Sequence, residues 1–205
     1  MYPFCKDPRR LELINVLMIM LWVFDGNTAG KEMHHATLNT EYWLKPPKEC
    51  GNLGEYLAYR HRNVGALFVW SCVKFSLDLK VDISDPRIAE WLEWASMHLG
   101  MTNDLYSWAK EAKDQSEEQG PANAIFHLKQ LLSLDERQAV EMLYCMILQK
   151  EALMYEQLLS WENECSFDDD MCAFLRGVWG ALAGHVLYSA TCARYAGEQG
   201  KVVPE

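Results

Sequence analysis

At 205 residues, half of them apolar, the chain has enough material for one domain with a single substantial core and is neither disordered nor fibrous. Its formal net charge of −10 argues against a nucleic-acid surface, which needs clustered Lys and Arg. Seven scattered cysteines form no CxxC pair or regular framework, and an odd number fits reduced thiols packed as small core residues of an intracellular protein better than a secreted disulfide scaffold.

The first apolar run, Leu11 to Phe24, is shorter than the ~20 residues a spanning helix needs. It follows Asp7, Pro8, Arg9, Arg10 and Glu12 and precedes no small-residue cleavage site, so a buried helix with no membrane insertion is expected. Apolar recurrence then predicts helices near 9–24, 53–79, 86–118, 121–132, 135–164 and 168–195, with breaks at Pro46-Pro47, Asp85-Pro86 and Gly120-Pro121. Ser84 or Asp85 before Pro86 makes a helix start. Leu134-Asp135-Glu136 begins another with acids in the first turn, where the helix dipole favours them. No alternating strand pattern competes and no internal repeat occurs, so the expected fold is an all-α bundle with a central pocket, one domain over residues 1–205.

Within the third helix, Asn103, Ser107 and Glu111 are set four residues apart and drift by only about 40° per step, forming one stripe. An amide oxygen, a hydroxyl and a carboxylate suit Mg²⁺, which keeps several waters and is usually completed by substrate phosphate oxygens. Spacing alone also describes the solvated face of many helices. The apolar run from Ala89 to Met101 and the neighbours Leu105, Tyr106 and Trp108 turn the stripe toward an interior cavity instead. One formal negative charge makes a poor metal cage by itself, so the cation is expected to arrive with an anionic ligand such as a diphosphate. Lys110, on nearly the same face, is placed to meet that anion. The six histidines form no HxxxH or HExxH pattern, His34-His35 included, and zinc is not expected. Asp168-Asp169-Asp170 is read as a helix start.

The string Asn103-Asp104-Leu105-Tyr106-Ser107-Trp108-Ala109-Lys110-Glu111 resembles the second metal motif of class I terpene cyclases, Asn/Asp-Asp-x-x-Ser/Thr-x-x-(Lys)-Glu, at every prescribed place. Upstream, Tyr56 to Gly65 resembles the family's diphosphate-sensing segment, where an arginine on a helix is followed by a helix break. Downstream, Gly184 to Tyr195 resembles the terminal Gly-Asn-x-x-Trp-Ser...Arg-Tyr segment of fungal cyclases. The wording around Tyr59 to Leu79 and Asn103 to Glu111 is most similar to the cyclase half of fungal two-domain terpene synthases.

The resemblance implies a class I terpenoid synthase-like bundle and a cytoplasmic, Mg²⁺-dependent cyclase with three Mg²⁺ in an intact homologue. It implies a linear prenyl diphosphate as substrate: diphosphate leaves with metal assistance and the allylic carbocation cyclises against aromatic walls. Arg60, Lys110, Arg194 and Tyr195 would form the diphosphate clamp, with Arg62 a rival for the role of Arg60. Asn63 and Val64 would occupy the helix break. Asn103, Ser107, Glu111 and Asp25 would be metal ligands, and Phe68, Trp70, Trp108, Trp179 and Tyr188 are candidates to line the pocket through the affinity of aromatic faces for cations.

The chain departs from that pattern near its start. The family's aspartate-rich DDxxD motif has as its counterpart Phe24-Asp25-Gly26-Asn27-Thr28-Ala29, which retains Asp25 alone, and Glu32 is out of register. The stretch from Asp25 to Arg60 is short enough to lack one or two helices, which marks 25–35 as an expected internal deletion. The alternative function is therefore a truncated or degenerate homologue that binds diphosphate or a partner without turnover.

Overall fold

The computed structural model describes residues 4–25 (backbone alone beyond 16), 51–113, 123–192 and 195. Seven helices occur among them: α1 Pro8–Asp25, α2 Leu53–Asn63, α3 Ala66–Leu77, α4 Ala89–Glu111, α5 Ala124–Leu132, α6 Glu136–Asn163 and α7 Asp169–Thr191. No strand occurs among the described residues, in agreement with the all-α expectation.

Local chemistry accounts for most of the boundaries. The Asn52 side chain accepts from Glu55 N at 2.9 Å to start α2, and Asp168 does the same for Met171 N at the start of α7. Asp135 and Gln138 form a reciprocal capping box at α6. The expected helix break after Arg60 falls at Val64-Gly65, where Gly65 takes φ +74°, a left-handed conformation that glycine adopts without strain. Four expected boundaries move. α4 ends at Glu111 rather than 118, and α5 begins at Ala124 rather than 121. α4 begins at Ala89 rather than Pro86, because the Asp85 carboxylate accepts from Arg87 N at 2.9 Å and holds Asp85 to Ile88 in a turn. α7 ends at Thr191 rather than 195, where Cys192 passes into extended backbone.

Helix α4 is the central member. One core cluster packs it against α3 and α7 through Trp70, Val73, Trp91, Leu92, Phe174 and Val178. A second packs it against α2, α5 and α6 through Tyr56, Met101, Trp108, Ile125, Leu128 and Leu143. Trp70 and Trp91 are fully enclosed; at about 150–250 Å² each and about 25 cal/mol per Å², each contributes roughly 4–6 kcal/mol before ordering costs. The Trp91 indole N–H also donates to the Met154 carbonyl at 3.0 Å, tying α4 to α6. Close approach of α3 and α7 needs Gly177, since a Cβ there would stand 2.7 Å from Val73 Cγ1. Ile14 of α1 joins the first cluster, and Arg10 holds α1 to the end of α3 through Asp78 at 2.7 Å. No helix among the described residues is long and apolar enough to cross a membrane.

Candidate functional site

The C-terminal half of α4 carries the stripe. Ser107 is buried, and Asn103 and Glu111 are half-buried, so the stripe is not a fully solvated helix face. Arg60 of α2 lies opposite: its Nη2 donates to Asn103 Oδ1 at 2.7 Å, its Nη1 to Asn63 Oδ1 at 2.9 Å and its Nε to Asp104 Oδ1 at 2.9 Å. Nη2 also stands 2.9 Å from Asp104 Oδ1. Three of the five guanidinium N–H groups thus donate hydrogen bonds, and Nη2 is also ion-paired with the Asp104 carboxylate. Arg62, by contrast, is exposed. Gly100 makes room for this arrangement, because a Cβ on it would come within 3.1 Å of Arg60 Cγ.

Asp104 is the joint of the assembly. Only 1% exposed, its carboxylate takes the Arg60 guanidinium, the Tyr56 hydroxyl and, at 3.0 Å, the Ala124 backbone N–H, so one side chain binds α2, α4 and the start of α5 together. Burial pushes its carboxyl up, while Arg60, Tyr56 and Ala124 pull the other way. Burial is the largest single influence on the Arg60 cation and opposes it, but the charge and hydrogen bond of Asp104 together with Tyr56 and Glu111 outweigh it and raise the guanidinium pKa. The Tyr56 hydroxyl is held protonated by burial and by the same carboxylate.

Asn123 completes the site from the other side of the 114–122 connection. Fully enclosed, it donates through Nδ2 to the Asp104 carbonyl at 2.8 Å and to Glu111 Oε2 at 2.9 Å, with Ser107 Oγ at 3.5 Å, while its Oδ1 caps Ile125 N at 2.9 Å. Ser107 Oγ and Glu111 Oε2 are thus gathered around one amide nitrogen. Among the described residues no group of three His, Cys, Asp or Glu gathers as a metal site. A cation here therefore depends on amide, hydroxyl and single-carboxylate oxygens, a hard donor set that fits Mg²⁺ with water and phosphate oxygens filling the remaining positions.

The other expected residues are placed unevenly. Tyr195 joins the stripe, its hydroxyl accepting from Asn103 Nδ2 at 3.0 Å. Lys110 is exposed, and its side chain makes no ion pair or hydrogen bond among the described residues. Asp25 closes α1, but its side chain and all of Arg194 lie outside the described residues, as does the 26–50 stretch containing most of the expected deletion. Trp70 is sealed in the first core, with its N–H 3.4 Å from Ser96 Oγ, and Trp108 is packed in the second beneath Lys129. Phe68 and Trp179 are half-buried against the first core, Trp179 beside Tyr155, and Tyr188 is exposed. A surface recess lined by Lys80, Asp82, Asp85, Arg87 and Asp168 shares no residue with the stripe. It opens before α4 begins, and Asn103 lies ~21 Å further along that helix at 1.5 Å per residue. Asp104, Tyr56, Asn123 and Gly100 received no role from sequence. Their only visible marks were the place of Asp104 inside the motif and the cap-like position of Asn123 before an apolar run.

The all-helical bundle, with oxygen donors on one helix facing a half-buried arginine on another, has a class I terpenoid synthase fold. The solved aristolochene synthase from Penicillium roqueforti superposes with a TM-score of 0.61 at 20% identity, over 71% of this chain and 49% of that one. The family model for terpene synthase family 2, C-terminal metal binding, matches residues 31–152, more than half of the chain, and the chain belongs to that family. Fusicoccadiene synthase of Phomopsis amygdali is 29% identical over 147 residues, 70% of this chain and 20% of that protein. Aristolochene synthase of Aspergillus terreus is 29% identical over 149 residues, 70% of this chain and 47% of that protein. The chain thus spans between a fifth and about half of the length of these relatives.

Proposed function

We propose that the chain is a Mg²⁺-dependent terpene cyclase unit acting on a linear prenyl diphosphate, with the Asn103, Ser107 and Glu111 oxygens holding the cation and Arg60 and Tyr195 facing the diphosphate. The observation that carries it is the meeting of three elements at one place: Ser107 and Glu111 side chains held by one amide with Glu111 Oε1 left uncommitted among the described residues, the Asn103 amide, and a half-buried guanidinium with N–H capacity to spare. Bound Mg²⁺ supplies charge neutralisation on the departing diphosphate.

Each side chain has a definable task. Arg60, fixed by Asp104 and Asn63, offers an uncommitted N–H to a phosphate oxygen without reorganising, so the orientational cost is met in folding. Asn103 links Arg60 to Tyr195 and brings α2 and the end of the chain's last described helix to the same anion. Lys110, exposed on the rim, adds a mobile point charge. Asp25 and Arg194 remain assigned by resemblance as a further ligand and a further clamp residue, and the half-buried Phe68 and Trp179 are the aromatic candidates for the carbocation wall.

Incubation with Mg²⁺ and farnesyl, geranylgeranyl or geranylfarnesyl diphosphate, followed by hydrocarbon analysis, tests the proposal. Cyclic hydrocarbon is expected from the wild-type chain and none from Glu111→Gln, which removes the stripe's single charge. Product yield unchanged in Glu111→Gln would refute the ligand role. Diphosphate binding without any hydrocarbon would leave the chain a non-turnover homologue.

A further inference from the structure

Glu111 has two carboxylate oxygens, and the structure treats them differently. Oε2 accepts from Asn123 Nδ2 at 2.9 Å, whereas Oε1 has no hydrogen-bond partner among the described residues. The amide that holds Oε2 is itself engaged at three of its four hydrogen-bonding positions. One Nδ2 hydrogen goes to the Asp104 carbonyl at 2.8 Å, the other to Glu111 with Ser107 Oγ at 3.5 Å, and Oδ1 is fixed by Ile125 N at 2.9 Å. A fully enclosed amide with both N–H donors spent and its oxygen fixed by a backbone N–H has no freedom to turn.

We infer that Asn123 is a positioning residue for the cation site: it fixes the rotamer of Glu111 so that Oε1 points at the ligand position, and sets Ser107 Oγ beside it. This rests on the reading of the stripe as a Mg²⁺ site and adds a residue to it. Glu111 sits in the last turn of α4, where three torsions would otherwise leave the carboxylate free to sweep the solvent edge; the donor on Asn123 removes that freedom before a cation arrives. Because Asn123 also caps α5 and touches the Asp104 main chain, the order of the metal stripe depends on the α5 start being formed.

Asn123→Ser separates this role from simple capping. Serine caps a helix about as well as asparagine but has no amide donor to reach Glu111. The probe is Mn²⁺, another oxygen-favouring cation, titrated into the full chain with inorganic pyrophosphate present and followed by the loss of the free-ion electron paramagnetic resonance signal. Far-UV circular dichroism and thermal denaturation are recorded for each protein, and Asn123→Ala serves as the variant lacking both cap and donor.

The expected result for Asn123→Ser is native helicity, near-native thermal stability and an Mn²⁺ affinity weakened about 10-fold or more, the size of effect typical when a partner that orients a metal ligand is removed. Asn123→Ala should lose the same affinity and stability besides. Wild-type affinity in Asn123→Ser, with destabilisation confined to Asn123→Ala, would overturn the inference and leave Asn123 as a cap only. Absence of Mn²⁺ binding by the wild-type chain with pyrophosphate would overturn the cation-site reading and this inference with it.

Discussion

Asp104→Asn tests how much of the site's architecture rests on one carboxylate. The change is nearly isosteric, so it leaves no cavity and removes charge and one acceptor. An Asn amide can present its oxygen to Arg60 or to the Tyr56 hydroxyl and Ala124 N–H, never to both, and its NH₂ then faces donors on the other side. Arg60, whose side chain is 13% exposed, loses its counter-charge in either orientation. Breaking a buried pair by removing one partner costs about 3–5 kcal/mol, a large share of the roughly 5–15 kcal/mol that holds a domain together. With a urea slope of about 1–3 kcal/mol/M the unfolding midpoint should fall by about 1 M or more. Glu141→Gln, which breaks the exposed Arg137–Glu141 pair on α6, is the contrast, and should cost no more than about 0.5 kcal/mol. Removing Arg60 as well, in the Arg60→Met and Asp104→Asn double variant, should recover part of the loss, with a coupling of about 1–3 kcal/mol in the double-mutant cycle. A loss below about 1 kcal/mol for Asp104→Asn, or strict additivity in the cycle, would refute the view of Asp104 as the joint of three helices.

Further expectations follow from other contacts. Gly177→Ala places a Cβ 2.7 Å from Val73 Cγ1 and 2.9 Å from Leu77 Cδ1; overpacking of about 1–3 kcal/mol against a propensity gain of about 1 kcal/mol should lower the thermal midpoint by a few degrees, and a higher midpoint would show that α3 and α7 can separate freely. His185 is buried on α7, and burial, then the positive charge reachable on His98 and Arg60, lowers its pKa from 6.5 to about 4. The unfolded chain therefore binds the proton first, so stability present above pH 6.5 is lost as pH falls toward 4, by about 3 kcal/mol. Urea titrations of wild type and His185→Asn across that window should converge as pH falls; a difference independent of pH would contradict the lowered pKa. Gly100→Ala should strengthen α4 as a helix yet displace Arg60, lowering pyrophosphate affinity in calorimetry while far-UV circular dichroism is unchanged; unaltered affinity would show that Arg60 yields without consequence.

Much of this was legible in the sequence because the determinants are local. Asp135 and Asp168 stand where acids start helices and the Asn103, Ser107, Glu111 stripe follows from the helical period alone, whereas periodicity runs α2 and α3 together over 53–79 and only the family resemblance marks the break at Val64-Gly65. The shift of the α4 start was not legible, because Pro86 suits a first turn in general while Asp85 captures Arg87 N in this chain. Nor was the role of Asp104 or Asn123. Those residues acquire meaning only when α2 and α5 fold onto α4, and spacing within one helix carries no information about that approach. The aromatic residues show the same limit: Trp70 and Trp108 have the composition of a cation-stabilising wall, but the neighbouring helices enclose them in core.

The central claim is that a cation and a diphosphate meet between the α4 stripe and Arg60. A crystal of the chain grown with Mn²⁺ and pyrophosphate, and measured for the anomalous scattering of manganese, tests it most directly. The expected peak lies against Glu111 Oε1, Ser107 Oγ and Asn103 Oδ1 at about 2.0–2.3 Å, with pyrophosphate between it and the Arg60 guanidinium. Manganese bound elsewhere, or pyrophosphate bound away from Arg60, would contradict the account.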